Sequence, residues 1–232
     1  MKESEKYYNF PITMLASWYG EFHKKNTFLN EVLNYHIYSY SLKEEDGSSC
    51  DLEEIFDKTS HNFGIEKWGS AGGFNKAKKT YQSYKSSRVF VGISFTMFWG
   101  FYQEEKTEHE WNCLIAHLAL RSIAGNKSVT KSDNTMLYAR MSGREKRNEY
   151  NPSCDVNLNR YQRGKIIDEL EANWNLQYYG RTRGFYFSYT KGYDELIMDV
   201  ELRKATNKKK QLTLEKERIR QEVLAKIAYD NK

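Results

Sequence analysis

Thr107 and Glu110 stand three residues apart just ahead of the apolar run Trp111, Leu114, Ile115 and Leu118, and Gly125 follows it. A threonine hydroxyl can accept the third amide of a helix while the glutamate reaches back to the threonine amide. The apolar spacing fits one helical face, and glycine suits the residue after a helix. The pattern predicts a helix over 108–124 with its start, stop and buried side all specified. Any fold for this chain must be built around that helix.

The residues that follow continue in short helices. After the polar stretch "GNKSVTK", Ser132 is positioned to cap a second helix, "DNTMLYARMS", which Gly143 ends. Met136, Leu137 and Met141 give it an apolar face. A charged loop, 144–157, leads to a third helix over about 158–173, with Leu158, Tyr161, Ile166, Ile167 and Leu170 facing inward and Trp174 closing it. Next comes "LQYYGRTRGFYFSY", residues 176–189. Its alternation predicts a β-hairpin with Phe185, Phe187 and Tyr189 on one side, opposite Leu176 and Tyr178 of the partner strand. Gly180 and Gly184 bracket a tip of Arg181, Thr182 and Arg183, where positive φ angles are expected.

The first hundred residues read as mostly helical. "TFLNEVLNYHIYSYSL" (27–42) places Leu29, Val32, Leu33, His36 and Tyr40 on one face. "DGSSC" breaks it, and Asp51 with Glu54 suggests another capping box. "WGSAGGF" (68–74) reads as a loop and "NKAKKTYQSY" as a short helix. The run "VFVGISFTMFWGFY" (89–102) suits a strand at its start and a buried helix over its length; it is shorter than the roughly 18 residues of a membrane span. The whole is expected to be mainly α with a small β component: a helical region over 1–105, a compact domain over 106–191 and a charged helix or tail over 192–232.

Charge is unevenly placed. The net +5 hides a segment, 121–191, with 13 Lys or Arg against 7 Asp or Glu, while the remainder nets −1. A localised positive excess is an electrostatic footprint for polyanions, although a solvated basic surface gives the same count. Aromatic residues, at 15%, supply the bulk for a core despite only 39% hydrophobic content. Cys50, Cys113 and Cys154 are odd in number and far apart, with neither a disulfide framework nor a metal spacing. Residues 2–8 are polar, so no secretory signal is expected and a reducing cytoplasm fits.

Three helices followed at once by a two-stranded hairpin resemble the winged helix-turn-helix family of DNA-binding domains, over residues 108–191. The long loop at 144–157 departs from the short turn that family usually has there. The resemblance implies a third helix in the major groove and a wing on the DNA backbone or in the minor groove. The residues themselves suit these roles. Asn157, Asn159, Arg160, Gln162, Arg163 and Lys165 crowd the start of the third helix with hydrogen-bond donors, where the helix dipole adds positive potential. Gly164 is costly in a helix, about 1 kcal/mol relative to alanine, and either admits a phosphate to the backbone or marks a frayed turn. Arg181, Thr182 and Arg183 at the tip, with Lys131 before the second helix, complete the candidate DNA contacts.

Other chemistry is not signalled. His23, His36, His61, His109 and His117 have no metal spacing, and "HEWNCLIAH" places its second histidine too late for a zinc helix. His117 reads as a partly buried polar residue. "GSAGGFNKAKKT" lacks the Gly-Lys-Ser/Thr register of a phosphate loop. No metal, cofactor or catalytic residue is expected. The expected function is therefore a non-enzymatic, sequence-specific double-stranded DNA-binding protein, either a transcription regulator or a replication initiator of a bacterium, phage or mobile element. Two alternatives stay open: an interaction scaffold reusing a winged helix, and a nucleic-acid-processing enzyme with a site in residues 1–105. Leu212, Ile219, Val223 and Ile227 form a narrow stripe in the C-terminal segment, which suits a homodimer through that helix as well as it suits a tail.

Overall fold

The computed structural model describes residues 6–18, 25–45, 51–63 and 71–230. The protein is mainly helical, with two small antiparallel sheets among the described residues. Among the described residues no helix is long and apolar enough to cross a membrane. Internal contacts divide the chain into two units, residues 1–127 with 132–175, and residues 128–131 with 176–232.

The first unit begins with β1 (Tyr7–Pro11) and a 3₁₀ turn (Ile12–Ser17). Helices α1 (Lys25–Glu45), α2 (Leu52–Asn62) and α3 (Ala71–Tyr84) follow. The ambiguous apolar run resolves into two elements: β2 (Phe90–Ser94) pairs antiparallel with β1, and α4 (Phe95–Gln103) starts at once, Ser94 Oγ accepting from Met97 N at 3.3 Å. In α1, residues Phe28 to Ile37 are buried or half-buried on nearly every side, because the helix packs on α3, α2 and β1 together. Tyr40, expected inward, is 43% exposed. Asp51 does cap α2 but its side chain makes no cap hydrogen bond; Glu54 instead pairs with Lys58 at 2.7 Å, so the expected box does not form. Residues 71–74, read as loop, are the first turn of α3, while 68–70 lie outside the described residues, as do Cys50 and His23.

Helix α5 (Glu108–Ala124) is the centre of this unit and carries the expected Thr107–Glu110 box. Trp111, Cys113, Leu114, Ile115, Leu118 and Ala119 are buried along it. Trp111 stacks on Trp18 at 5.1 Å and meets Phe101 edge-on at 5.0 Å. Trp174 lies 5.0 Å from the His117 ring, whose pKa burial pushes down to about 3, with Arg121 adding to the shift. Helix α6 (Asn134–Met141) is capped by Asp133, not Ser132: Asp133 Oδ1 accepts from Met136 N at 2.9 Å. Gly143 ends it at φ 74°, and a Cβ there would sit 2.6 Å from Ala16 N and 2.9 Å from Thr13 O. Only glycine fits where two backbones meet this closely.

The long loop before the third helix is held firmly. Arg144 Nη2 donates to Asp155 Oδ1 at 2.9 Å, and Asp155 also accepts from Asn151 N at 2.8 Å. Val156 N donates to Ser142 Oγ at 2.7 Å, and Tyr138 OH donates to Leu158 O at 3.0 Å. The third helix, α7, spans Arg160–Asn173 and buries Ile166, Ile167 and Leu170.

The second unit holds β4 (Gln177–Arg181) and β5 (Gly184–Ser188), paired with Tyr178 opposite Phe187 and Gly180 opposite Phe185; Arg181, expected at the tip, ends β4 opposite Gly184, and the turn is Thr182–Arg183. A third strand escaped the sequence reading: β3 (Thr130–Ser132) pairs with β5, giving the order β3-β5-β4. Gly184 has φ 106°, whereas Gly180 is ordinary strand, so one tip glycine needs its freedom and the other does not. Helix α8 (Tyr193–Asp230) packs on β4 and β5 through its first turns, where Leu196 and Val200 join Val129 with Tyr179 and Tyr186 beside them. From Leu212 to Leu224 every residue of α8 is exposed.

Candidate nucleic-acid interface

Helix α7 begins with a reciprocal cap. Asn159 Oδ1 accepts from Gln162 N at 2.9 Å, and Gln162 Oε1 accepts from Asn159 N at 3.1 Å. Both side chains thus spend their oxygens on the helix start, and each keeps its amide NH₂ as a donor. The sequence reading saw these residues as donors only; Asn-x-x-Gln at a helix start was the overlooked signal.

Beyond the cap, the buried positions Ile166, Ile167 and Leu170 define which side faces out. Arg160, Tyr161, Gly164, Lys165 and Asp168 line a shallow groove on the exposed side. Tyr161, expected in the core, is 69% exposed. Its position one hundred degrees per residue round the helix puts it opposite the Ile166–Leu170 face. Lys165 Nζ lies 4.6 Å from the centre of its ring, a cation–π contact that holds both side chains up beside Gly164. A Cβ at Gly164 would meet nothing within 4 Å. Packing does not call for glycine there, and α7 is intact around it, so this is not a frayed turn. Arg163 is half-buried and falls on the side of Ile166 and Ile167. Asn157 is exposed just ahead of the cap. The groove therefore combines two cations, an aromatic ring, a bare stretch of backbone and one carboxylate.

The hairpin, taken by itself, is differently arranged from the expectation of two outward arginines. Arg181 is ion-paired to Glu201 of α8 and its guanidinium lies 4.6 Å from the Tyr179 ring centre. Its charge is largely spent within its own unit. Thr182 and Arg183 form the exposed turn. Lys131, on β3, is exposed with Nζ 5.9 Å from the Tyr186 ring centre. The tip thus presents one arginine, not two.

Among the described residues no group of three or more His, Cys, Asp or Glu side chains could hold a metal ion. Cys113 is buried and Cys154 exposed, both unbridged. No family model, no curated protein and no solved structure matches the chain.

Proposed function

We propose that the protein is a non-enzymatic, sequence-specific double-stranded DNA-binding protein of the winged helix-turn-helix type, acting as a transcription regulator or replication initiator. The observation that carries the reading is the exposed face of α7, where Arg160, Tyr161, Lys165 and Asp168 line a groove with the bare backbone of Gly164, just past the Asn159–Gln162 cap. Arginine, asparagine and glutamine are the side chains that read guanine and adenine in the major groove, and Asp168 can accept from cytosine N4. Glycine on that face lets a base edge or phosphate approach the helix. The order of elements supports the same reading: α5, β3, α6, α7, β4, β5, with the lone strand joined to the returning strand of the hairpin. Arg183 and Lys131 are suited to phosphate contacts.

The exposed apolar side chains of α8 favour self-association as a companion property. Met198, Leu202, Leu212, Ile219 and Val223 are all at least 49% exposed. Two copies would present two α7 helices to a palindromic site.

Selection of bound duplexes from a random pool, followed by titration at several salt concentrations, tests the reading. The expected result is a recoverable consensus and an affinity that falls with salt, by about 0.9 log units per log unit of salt for each phosphate neutralised. Absence of binding even at low salt would reject it.

A further inference from the structure

A cavity of about 490 Å³ opens in the first unit between β1, α1, α2 and the start of α4. That volume is in the range of pockets that take small molecules. Its walls are rings. Phe63 meets His36 edge-on at 5.5 Å and Tyr40 edge-on at 6.0 Å, and lies 5.7 Å from Phe95. Tyr40 is exposed in an otherwise buried stretch of α1 because its ring forms part of this wall.

The charged groups among the described lining residues are of one sign. Lys6 and Lys43 stand at the pocket, and neither has an ion-pair partner among the described residues. No aspartate or glutamate among the described residues lines it. His36 Nδ1 accepts from Asn9 N at 3.1 Å, which assigns its proton to Nε2 and makes the ring a neutral donor. Burial, with Lys43 nearby, pushes the His36 pKa down to about 4, so it stays neutral near pH 7. Asn9, Thr59 and Asn62 add neutral hydrogen-bonding groups.

We infer that this pocket binds a small planar aromatic anion, its ring laid against the wall that Tyr40, Phe63 and Phe95 form and its acidic group held by Lys6 and Lys43. Flat rings stack on and edge against the aromatic walls, and a carboxylate, sulfonate or phosphate matches two lysines that no acid among the described residues opposes. The inference stands independently of the DNA-binding reading.

The test uses the full chain and 1-anilinonaphthalene-8-sulfonate, read by fluorescence. Saturable binding at one site per chain is expected. Lys43→Glu together with Lys6→Glu should weaken it at least tenfold, with circular dichroism and melting temperature unchanged because both lysines sit at the surface. N-phenyl-1-naphthylamine, the neutral analogue, should bind at least tenfold more weakly to the unaltered protein. Asn62→Trp, placed at the exposed rim, should block the site in a folded protein. Unsaturable binding, equal affinity for the neutral analogue, or indifference to all three substitutions would overturn the inference.

Discussion

Arg144 closes on Asp155 with two of its nitrogens, Nη2 at 2.9 Å and Nε at 3.2 Å from Oδ1, and so ties both ends of the loop between α6 and α7. The side chain of Asp155 is 3% exposed and that of Arg144 43%. The carboxylate is the buried half of the pair and the half that its removal would expose as a loss. The start of α7, and with it Asn159 and Arg160, depends on how this loop ends.

Asp155→Asn is therefore expected to destabilise the protein by about 1–3 kcal/mol at pH 7, the usual cost of leaving buried hydrogen-bonding groups without their partner. Burial raises the Asp155 pKa, but Arg144 and the Asn151 amide outweigh it and hold the carboxyl below its ordinary value. A depressed acid contributes its stability above its unfolded pKa of about 4 and loses it as pH falls through the lower folded value. Urea melts of the two proteins should differ most at neutral pH and converge below about pH 4. A gap that widens in acid would contradict the assignment.

On α7, Gly164→Ala should raise stability by up to about 1 kcal/mol, since the added methyl relieves a helix cost and meets no neighbour. The same substitution should weaken binding to a selected duplex, as should Arg160→Ala and Lys165→Ala. Arg163→Ala, half-buried, should affect melting more than binding. Thermal melts paired with fluorescence anisotropy check all four. A more stable Gly164→Ala protein that binds as well as the original would remove the close-approach role.

At the hairpin tip, Arg183→Ala should lower the salt dependence of DNA binding by about 0.9 in log–log slope, one phosphate contact. Arg181→Ala should change it less, because Glu201 already neutralises Arg181. Glu201→Ala should release Arg181 and steepen the slope. Affinities across a salt series measure all three, and equal effects of the two arginines would contradict the pairing with Glu201.

The C-terminal helix makes a size prediction. Full-length protein at high micromolar concentration should scatter light as a dimer, and a chain ending at Asn207 should scatter as a monomer. A dimer that survives the truncation would move the interface off α8.

Where local chemistry decides structure, the sequence was legible. Thr107, Glu110 and Gly125 define α5 from end to end without help from any distant residue. Tyr161 misled because its neighbours Leu158 and Ile166 share its apolar character, while its place on the helix is set by where α7 meets α5. Strand β3 is three residues long, too short for alternation to show, and exists by pairing with β5 more than fifty residues later. Arg181 and Glu201 are likewise remote in sequence, so the hairpin tip looked doubly charged. The aromatic pocket was invisible for the same reason: His36, Phe63 and Phe95 come from separate elements, and Tyr40, at helical spacing with the apolar residues of α1, read as inward.

Helix α8 has one more consequence, for hydrogen exchange. Its first turns shield Val129 and the strand tyrosines, whereas residues 212–224 are exposed all round and are steadied by local pairs such as Arg218 with Glu215. In a lone chain the amides of that distal half open with little cost and exchange within the fast regime of fraying ends. If two copies zip together there, those same amides slow down as protein concentration rises, while those beneath Leu196 and Val200 keep their rate. Deuterium uptake along a single helix then reads out assembly, with the near end of α8 serving as its own reference.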